Sequence, residues 1–270
     1  CCLLQGIAPH WQYGPLAFGY LFAMHNLNRF NDQRAKIFND PILPTFYKKY
    51  RRLILGLSVF FLLISLGLAF MESRLAFGIL AMMSILGILY RVKFIPLFIA
   101  NRLQVYRLKE IPASKTFFVA LAWAMVLVIL PAIASAPPGP RTAGVFTFIF
   151  LLVLVRNAIF DIFDRQGDRI AGKETLPVLI GLPKTMLVLK FIIALLLVMA
   201  VLMPLLGFMA APLGYFLIPA LLYLAVFLVF YEKGYYTPGV GLEFKLESVF
   251  VWMAALVWLG YIINLYLNSH

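Results

Sequence analysis

The sequence predicts an all-α fold, a polytopic transmembrane helical bundle with eight visible spans and its C-terminus outside. Three observations carry this. Stretches of about 20 apolar residues recur, each long enough to cross a bilayer as a helix. The composition is 63% hydrophobic and 13% charged, with a mean hydropathy of +0.95, whereas a soluble domain is about half apolar and a quarter charged. Long charged connections alternate with short ones. Lipid offers the backbone no hydrogen-bond partner, so each apolar stretch satisfies itself as a helix. No hydrophilic stretch is long enough for a second folded unit, so residues 1–270 read as a single domain.

The spans are expected at 9–27, 53–70, 75–92, 115–135, 143–160, 185–207, 211–231 and 247–267. The segments 28–52, 91–115, 161–184 and 232–246 are long and charged. The segments 71–74, 136–142 and 208–210 are short, and the middle one is Pro-rich, Ala136-Pro137-Pro138-Gly139-Pro140. Of 23 Lys and Arg, only Arg74 and Arg141 fall on the short-loop side; Lys190 lies early in a span and the other 20 lie on or beside the long-loop side. The positive-inside rule therefore puts the long loops in the cytoplasm, as expected of a protein of a bacterial inner membrane. The pI near 9.8 then reflects a basic membrane face meeting anionic lipid, not nucleic acid.

The acids follow the bases. Of 11 Asp and Glu, only Glu72 is expected on the short-loop side, a clustering that the positive-inside rule does not itself predict. Their spacing carries more. In Asp161-Ile162-Phe163-Asp164-Arg165-Gln166-Gly167-Asp168 the acids stand three and four residues apart at the end of a span. On one helix those three carboxylates would share a face and repel, which calls for nearby cations or a bound metal. Hard oxygen ligands suit Mg²⁺, which takes one or two carboxylates and completes its shell with substrate phosphates. A second cluster ends the first span, with Asn28, Asp32 and Lys36 at i, i+4 and i+8, and Asp40 one step further. Two such helix ends facing each other would rim a polar cavity open to the cytoplasm. His10, His25 and His270 are too dispersed for a metal set, and Glu243 and Glu247 read as a solvated helix start.

At these residues the chain resembles the UbiA-type intramembrane prenyltransferase superfamily, whose members have nine transmembrane helices and two Asp-rich motifs. The family's second motif, Asp-x-x-Asp-x-x-x-Asp with a Gly-x-x-Thr-Leu-Pro tail, is matched closely by Asp161 to Asp168 and Gly172-Lys173-Glu174-Thr175-Leu176-Pro177. Its first, Asn-x-x-x-Asp-x-x-x-Asp, is matched loosely by Asn28, Asp32 and Lys36, followed by Asn39-Asp40-Pro41-Ile42-Leu43-Pro44. Tyr90-x-x-Lys93 sits where the family has a Tyr-Ser-x-x-Lys/Arg-like element. The resemblance covers nearly the whole chain and makes the eight spans the family's helices two to nine, without the first.

The resemblance implies Mg²⁺-dependent transfer of a prenyl group from a polyprenyl diphosphate to a membrane-soluble acceptor of quinone-precursor, tetrapyrrole or lipid type. Asn28 and Asp32 would serve one Mg²⁺, and Asp161, Asp164 and Asp168 the other, with Asp32, Asp164 and Asp168 closest to the chemistry. Lys36, Lys93 and Lys173 would contact the diphosphate, with Arg102, Arg107 and Lys109 as further cations. The departure from the family is Lys36, which stands where the first motif has its last Asp. At about 4 Å and an effective dielectric of 20, a unit charge pair is worth roughly 4 kcal/mol, so this reversal disfavours one metal. The family's Arg in the following tail is also absent, with Ile42 and Leu43 in its place. Three readings stay open. Lys36 contacts the diphosphate directly, Asp40 supplies the missing carboxylate, or the chain is a non-catalytic homologue that binds a lipid or quinone or packs as a subunit of a membrane complex. The last predicts an ion pair such as Lys36 with Asp164 closing the site. No inverted repeat or paired broken helix points to a transporter.

Overall fold

The computed structural model describes residues 1–29, 42–89, 95–99, 102–106, 114–135, 137–236 and 239–268. A short helix α1 (Cys2–Gln5) precedes α2 (Tyr13–Arg29), α3 (Ile42–Lys49), α4 (Arg51–Glu72) and α5 (Arg74–Leu89). An antiparallel hairpin of β1 (Ile95–Ile99) and β2 (Arg102–Tyr106) follows. Then come α6 (Ser114–Ser135), α7 (Pro140–Phe163), α8 (Arg165–Ile170), α9 (Leu176–Leu179), α10 (Leu182–Leu205), α11 (Leu213–Glu232) and α12 (Val240–Asn268). Each expected span overlaps one of the longer helices. Six of them, α4, α6, α7, α10, α11 and α12, are long and apolar enough to cross a membrane. The protein is an integral membrane protein built as a helical bundle.

The hairpin was not expected, since 91–115 reads as a charged loop. Its register pairs Ile95 with Tyr106 and Ile99 with Arg102. Two five-residue strands are too short for periodicity to distinguish from loop. Pro96 lacks an N–H and fits because both strands of a two-stranded sheet are edges.

The helix ends follow local chemistry. Pro140 opens α7 with its fixed φ, and the Gly139 N–H donates to Thr142 Oγ1 at 3.3 Å, half of a capping box. Ser73 alone separates α4 from α5, in extended conformation, and its Oγ accepts from the Leu75 N–H at 3.2 Å. Inside α6, Met125–Ile129 forms a π-turn, where the Leu130 N–H donates to Met125 O. Pro131 directly after it lacks an N–H and crowds the preceding turn, a recognised reason for a helix to widen. Buried Gln5 of α1 uses its side-chain amide to donate to the Val128 carbonyl within that turn at 3.3 Å.

Two apolar clusters fill the bundle. One joins α2, α4, α5 and part of α6 through Leu16, Tyr20, Ala69, Leu80 and Leu130. The larger joins α1, α7, α10, α11 and α12 through Phe148, Leu189, Leu221, Phe227 and Leu246. The π-turn lets α6 serve both, for Val126 enters the first and Val128 the second. Helix α7 is the most enclosed span, with 56% of its apolar window buried against 22% for α4. The second acidic motif therefore hangs from the centre of the bundle. Phe191, Val251 and Leu267 are among the large apolar side chains left exposed, the surface that lipid covers.

Close approach of α2 to α4 depends on small residues, as in other membrane helix pairs. A Cβ on Gly19 would lie 2.8 Å from the Phe61 carbonyl and closer still to Ser65 Oγ. Gly19→Val will therefore separate these helices and cost about 1–3 kcal/mol. A lowered unfolding temperature in detergent checks this; an unchanged one would mean the pair is not held by backbone proximity.

Candidate active site

Helix α7 ends at Phe163, and Asp164 is both its last cap and the first of α8, with φ −84° and ψ 0°. The three motif acids therefore do not ride one uninterrupted helix, as their spacing alone suggests. The Asp164 N–H still donates to Phe160 O and the Asp168 N–H to Asp164 O, both at 2.9 Å, so the three-four spacing survives the bend. Asp161 and Asp168 are buried, at 7% and 3% exposure, and Asp164 is half-buried. Buried carboxylates at the end of an apolar span require specific partners.

Asp161 accepts a hydrogen bond on Oδ2 from Thr116 Oγ1 of α6 at 2.6 Å. Asp168 pairs through Oδ1 with Lys173 Nζ at 3.1 Å, and its carbonyl accepts the Lys173 N–H at 2.9 Å. Gly172, at φ +68°, makes the reversal that returns Lys173 to Asp168. Only glycine adopts that conformation without cost, which explains the first residue of the motif's tail. Thr175, extended, precedes the short helix α9, and Pro177 sits in its first turn. Burial pushes the Asp168 carboxyl above the usual Asp range; the Lys173 and Lys115 ammoniums pull it back, and the charge of Asp164 opposes them. Thr175 Oγ1 is buried and, among the described residues, makes no hydrogen bond.

Deeper along α7, Arg156 makes a bidentate ion pair with Glu247 of α12. Its Nε donates to Oε2 at 3.2 Å and its Nη2 to Oε1. The guanidinium lies over the rings of Trp123, 5.4 Å from the centroid, and Phe160, at 4.7 Å. Glu243 lies exposed in the first turn of α12 as expected, and Glu247, with its side chain 42% exposed, is in addition the partner of an arginine. Thr116, Lys115, Arg156 and Asn157 carry no motif signal; Arg156 and Asn157 lie about one turn before Asp161 on α7, whereas only the three-dimensional arrangement brings Thr116 and Lys115 to the acids.

Of the first motif, Asn28 lies in α2, while Asp32, Lys36 and Asp40 fall outside the described residues, as do Tyr90, Lys93, Arg107 and Lys109. Arg102 lies in β2, paired with Ile99. The pairing of Lys36 with Asp164 likewise lies outside them. Just before that motif, Asn26 is buried; it accepts from Tyr47 Oη at 2.8 Å and donates to Phe22 O at 2.9 Å, which ties α2 to α3.

The profile of the UbiA prenyltransferase family matches residues 48–253. The chain belongs to this family. The matched region holds the second Asp motif and its tail, whereas Asn28 to Pro44 precede it. No curated protein is similar enough in sequence to match. Among solved structures, the fold is similar to that of a UbiA homolog from Archaeoglobus fulgidus bound to GPP and Mg²⁺, with a TM-score of 0.66 and 15% identity over 94% of this chain and 88% of that one.

In this UbiA family member an Mg²⁺ would need hard oxygen donors. Carboxylate oxygens are the ligands it takes, but among the described residues no three acidic side chains form a group able to hold one ion. That suits Mg²⁺ carried by one or two carboxylates and completed by phosphate oxygens, not an all-protein cage. The unpartnered Thr175 hydroxyl is a further polar atom close in sequence to the motif, and a buried group of this kind calls for a ligand or water.

Proposed function

We propose that this protein transfers a prenyl group from a polyprenyl diphosphate to a membrane-soluble acceptor, an aromatic quinone precursor, a tetrapyrrole or a lipid. The observation that carries the reading is the set Asp161, Asp164 and Asp168, two of them buried, at the end of the most enclosed of the six membrane-length helices, with Asp168 paired to Lys173. From the set Asp161, Asp164 and Asp168, one or two carboxylates would hold one Mg²⁺ together with diphosphate oxygens, and Asn28 with Asp32 would serve another. When bound, Mg²⁺ neutralises the charge that develops on the leaving diphosphate.

The chain's own residues do the rest. Lys173, with Lys36 and Lys93, contacts the diphosphate and adds positive charge where the allylic C–O bond breaks. The apolar bundle keeps water from the carbocation until an acceptor atom forms the new bond. Phe160, Phe163 and Tyr231 form a contiguous ring cluster beside the motif, with centroids 5.8 Å and 5.3 Å apart along it, and rings of this kind attract cations. The positive-inside distribution supports placing the motif loops on the cytoplasmic side of a bacterial inner membrane.

The test is Mg²⁺-dependent binding of a non-hydrolysable geranyl or farnesyl diphosphate analogue to wild type and to Asp164→Ala. Binding that requires both metal and Asp164 is expected. Lys36 favours a second reading, a non-catalytic homologue that binds a lipid or quinone or packs with other membrane subunits. A well-folded sample that binds no analogue under any Mg²⁺ concentration would establish that reading and sink the first.

A further inference from the structure

The ion pair between α7 and α12 is not isolated. Arg156 Nη1 donates to Asn157 Oδ1 at 3.0 Å. Arginine has no acceptor, so the Asn157 oxygen must face it and the Asn157 amide nitrogen must point away. That nitrogen donates to the Thr116 carbonyl at 3.4 Å, the longest link. Thr116 in turn gives its hydroxyl proton to Asp161 Oδ2 at 2.6 Å. A continuous chain of polar contacts therefore runs from Glu247 on the last helix through α7 and α6 to the first carboxylate of the second motif.

Every member has its orientation set by the one before. The Glu247 carboxylate engages two N–H donors, Nε and Nη2, along one edge of the planar guanidinium, which fixes its rotation as a lysine in its place would not be fixed. The Arg156 Cζ also lies over the rings of Trp123 and Phe160. Asn157 can present its N–H to α6 only because its oxygen is engaged. Thr116 receives that N–H on its main chain and aims its side chain at Asp161. Groups behind a ligating carboxylate fix its direction and tune its affinity. We infer that Glu247 and Arg156 are positioning residues which, through Asn157 and Thr116, orient the Asp161 carboxylate for its ligand. The inference rests on the prenyl-diphosphate reading above and adds to it a device outside both Asp motifs. It also couples the last helix to the site.

The test uses the full chain in detergent as wild type, Thr116→Val, Thr116→Ser, Glu247→Gln and the double variant Thr116→Val/Glu247→Gln. The first readout is the Mg²⁺ concentration that half-saturates binding of a non-hydrolysable geranyl diphosphate analogue. Thr116→Val is expected to raise it about ten-fold. Thr116→Ser, which keeps the hydroxyl, should restore it. Glu247→Gln should raise it less, and the double variant should be no worse than Thr116→Val, because Glu247 acts through Thr116. An unchanged value in Glu247→Gln, or effects that multiply in full in the double variant, would overturn the inference. The second readout needs no ligand. The same four-corner cycle on the unfolding temperature should be non-additive, as for members of one network; strict additivity would also overturn it. If the wild type binds no analogue, the prenyl-diphosphate reading fails, and with it the assigned purpose. The unfolding cycle then still decides whether the polar chain links the two helices.

Discussion

Asp168→Asn will abolish most Mg²⁺-dependent binding of a prenyl diphosphate analogue and will leave the protein no less stable. The loss of affinity should exceed the 10- to 100-fold that altering a supporting residue costs at a metal site. The stability side follows from the direction of the Asp168 shift. Burial raises its folded-state value above the ordinary 3.8 despite the opposing pull of Lys173. An acid with a raised folded value binds its proton more tightly when folded, so stability is lost as pH rises from the unfolded value through the folded one. At neutral pH the ionised Asp168 therefore costs stability, and an uncharged isostere removes that cost, which offsets the lost pairing of Lys173, a side chain 24% exposed and within reach of water. Binding falling while the unfolding temperature holds or rises marks a residue kept for chemistry. A variant that loses both together would make Asp168 a structural group.

The same shift sets a pH dependence. Metal binding needs the carboxylate, so Mg²⁺-dependent binding should weaken on acidification at a pH above 3.8, the ordinary Asp value, because Asp168 takes up its proton early. Titrating analogue binding between neutral pH and about pH 4 checks this. Binding that holds until the ordinary carboxylate range would contradict it.

Glu247→Leu will destabilise the packing of α12 on α7. It leaves the Arg156 guanidinium, whose side chain is 16% exposed, without its counter-ion inside the bundle. Glu247 itself is 42% exposed, so removing it from this half-enclosed pair costs about 1–3 kcal/mol, most of it the uncompensated charge. Arg156→Met/Glu247→Leu should recover a large part of the loss, since apolar groups of similar volume can replace such a pair with little penalty. Unfolding temperatures of the three variants in detergent decide this. A double variant no more stable than Glu247→Leu would show that the charge itself was not the cost and that the packing of Arg156 on Trp123 and Phe160 was.

By itself the sequence determined the bundle, the place of each long helix and the acids of the second motif. Apolar length forces a helix in lipid, and the three-four spacing of Asp161, Asp164 and Asp168 keeps them within a turn even across the bend at Asp164. The tail was legible in the same way, because Gly172 and Pro177 constrain their own backbones. Only the tertiary structure decided which groups meet those acids. Thr116 lies 45 residues from Asp161, and Glu247 lies 91 from Arg156. A lone threonine or glutamate in an apolar span has no local pattern to mark it. The hairpin was hidden for a related reason, since its strands are stabilised by each other and not by a periodic face. Local chemistry fixes what each segment becomes, whereas a contact between distant side chains exists only once packing has set which faces of α6, α7 and α12 look at one another.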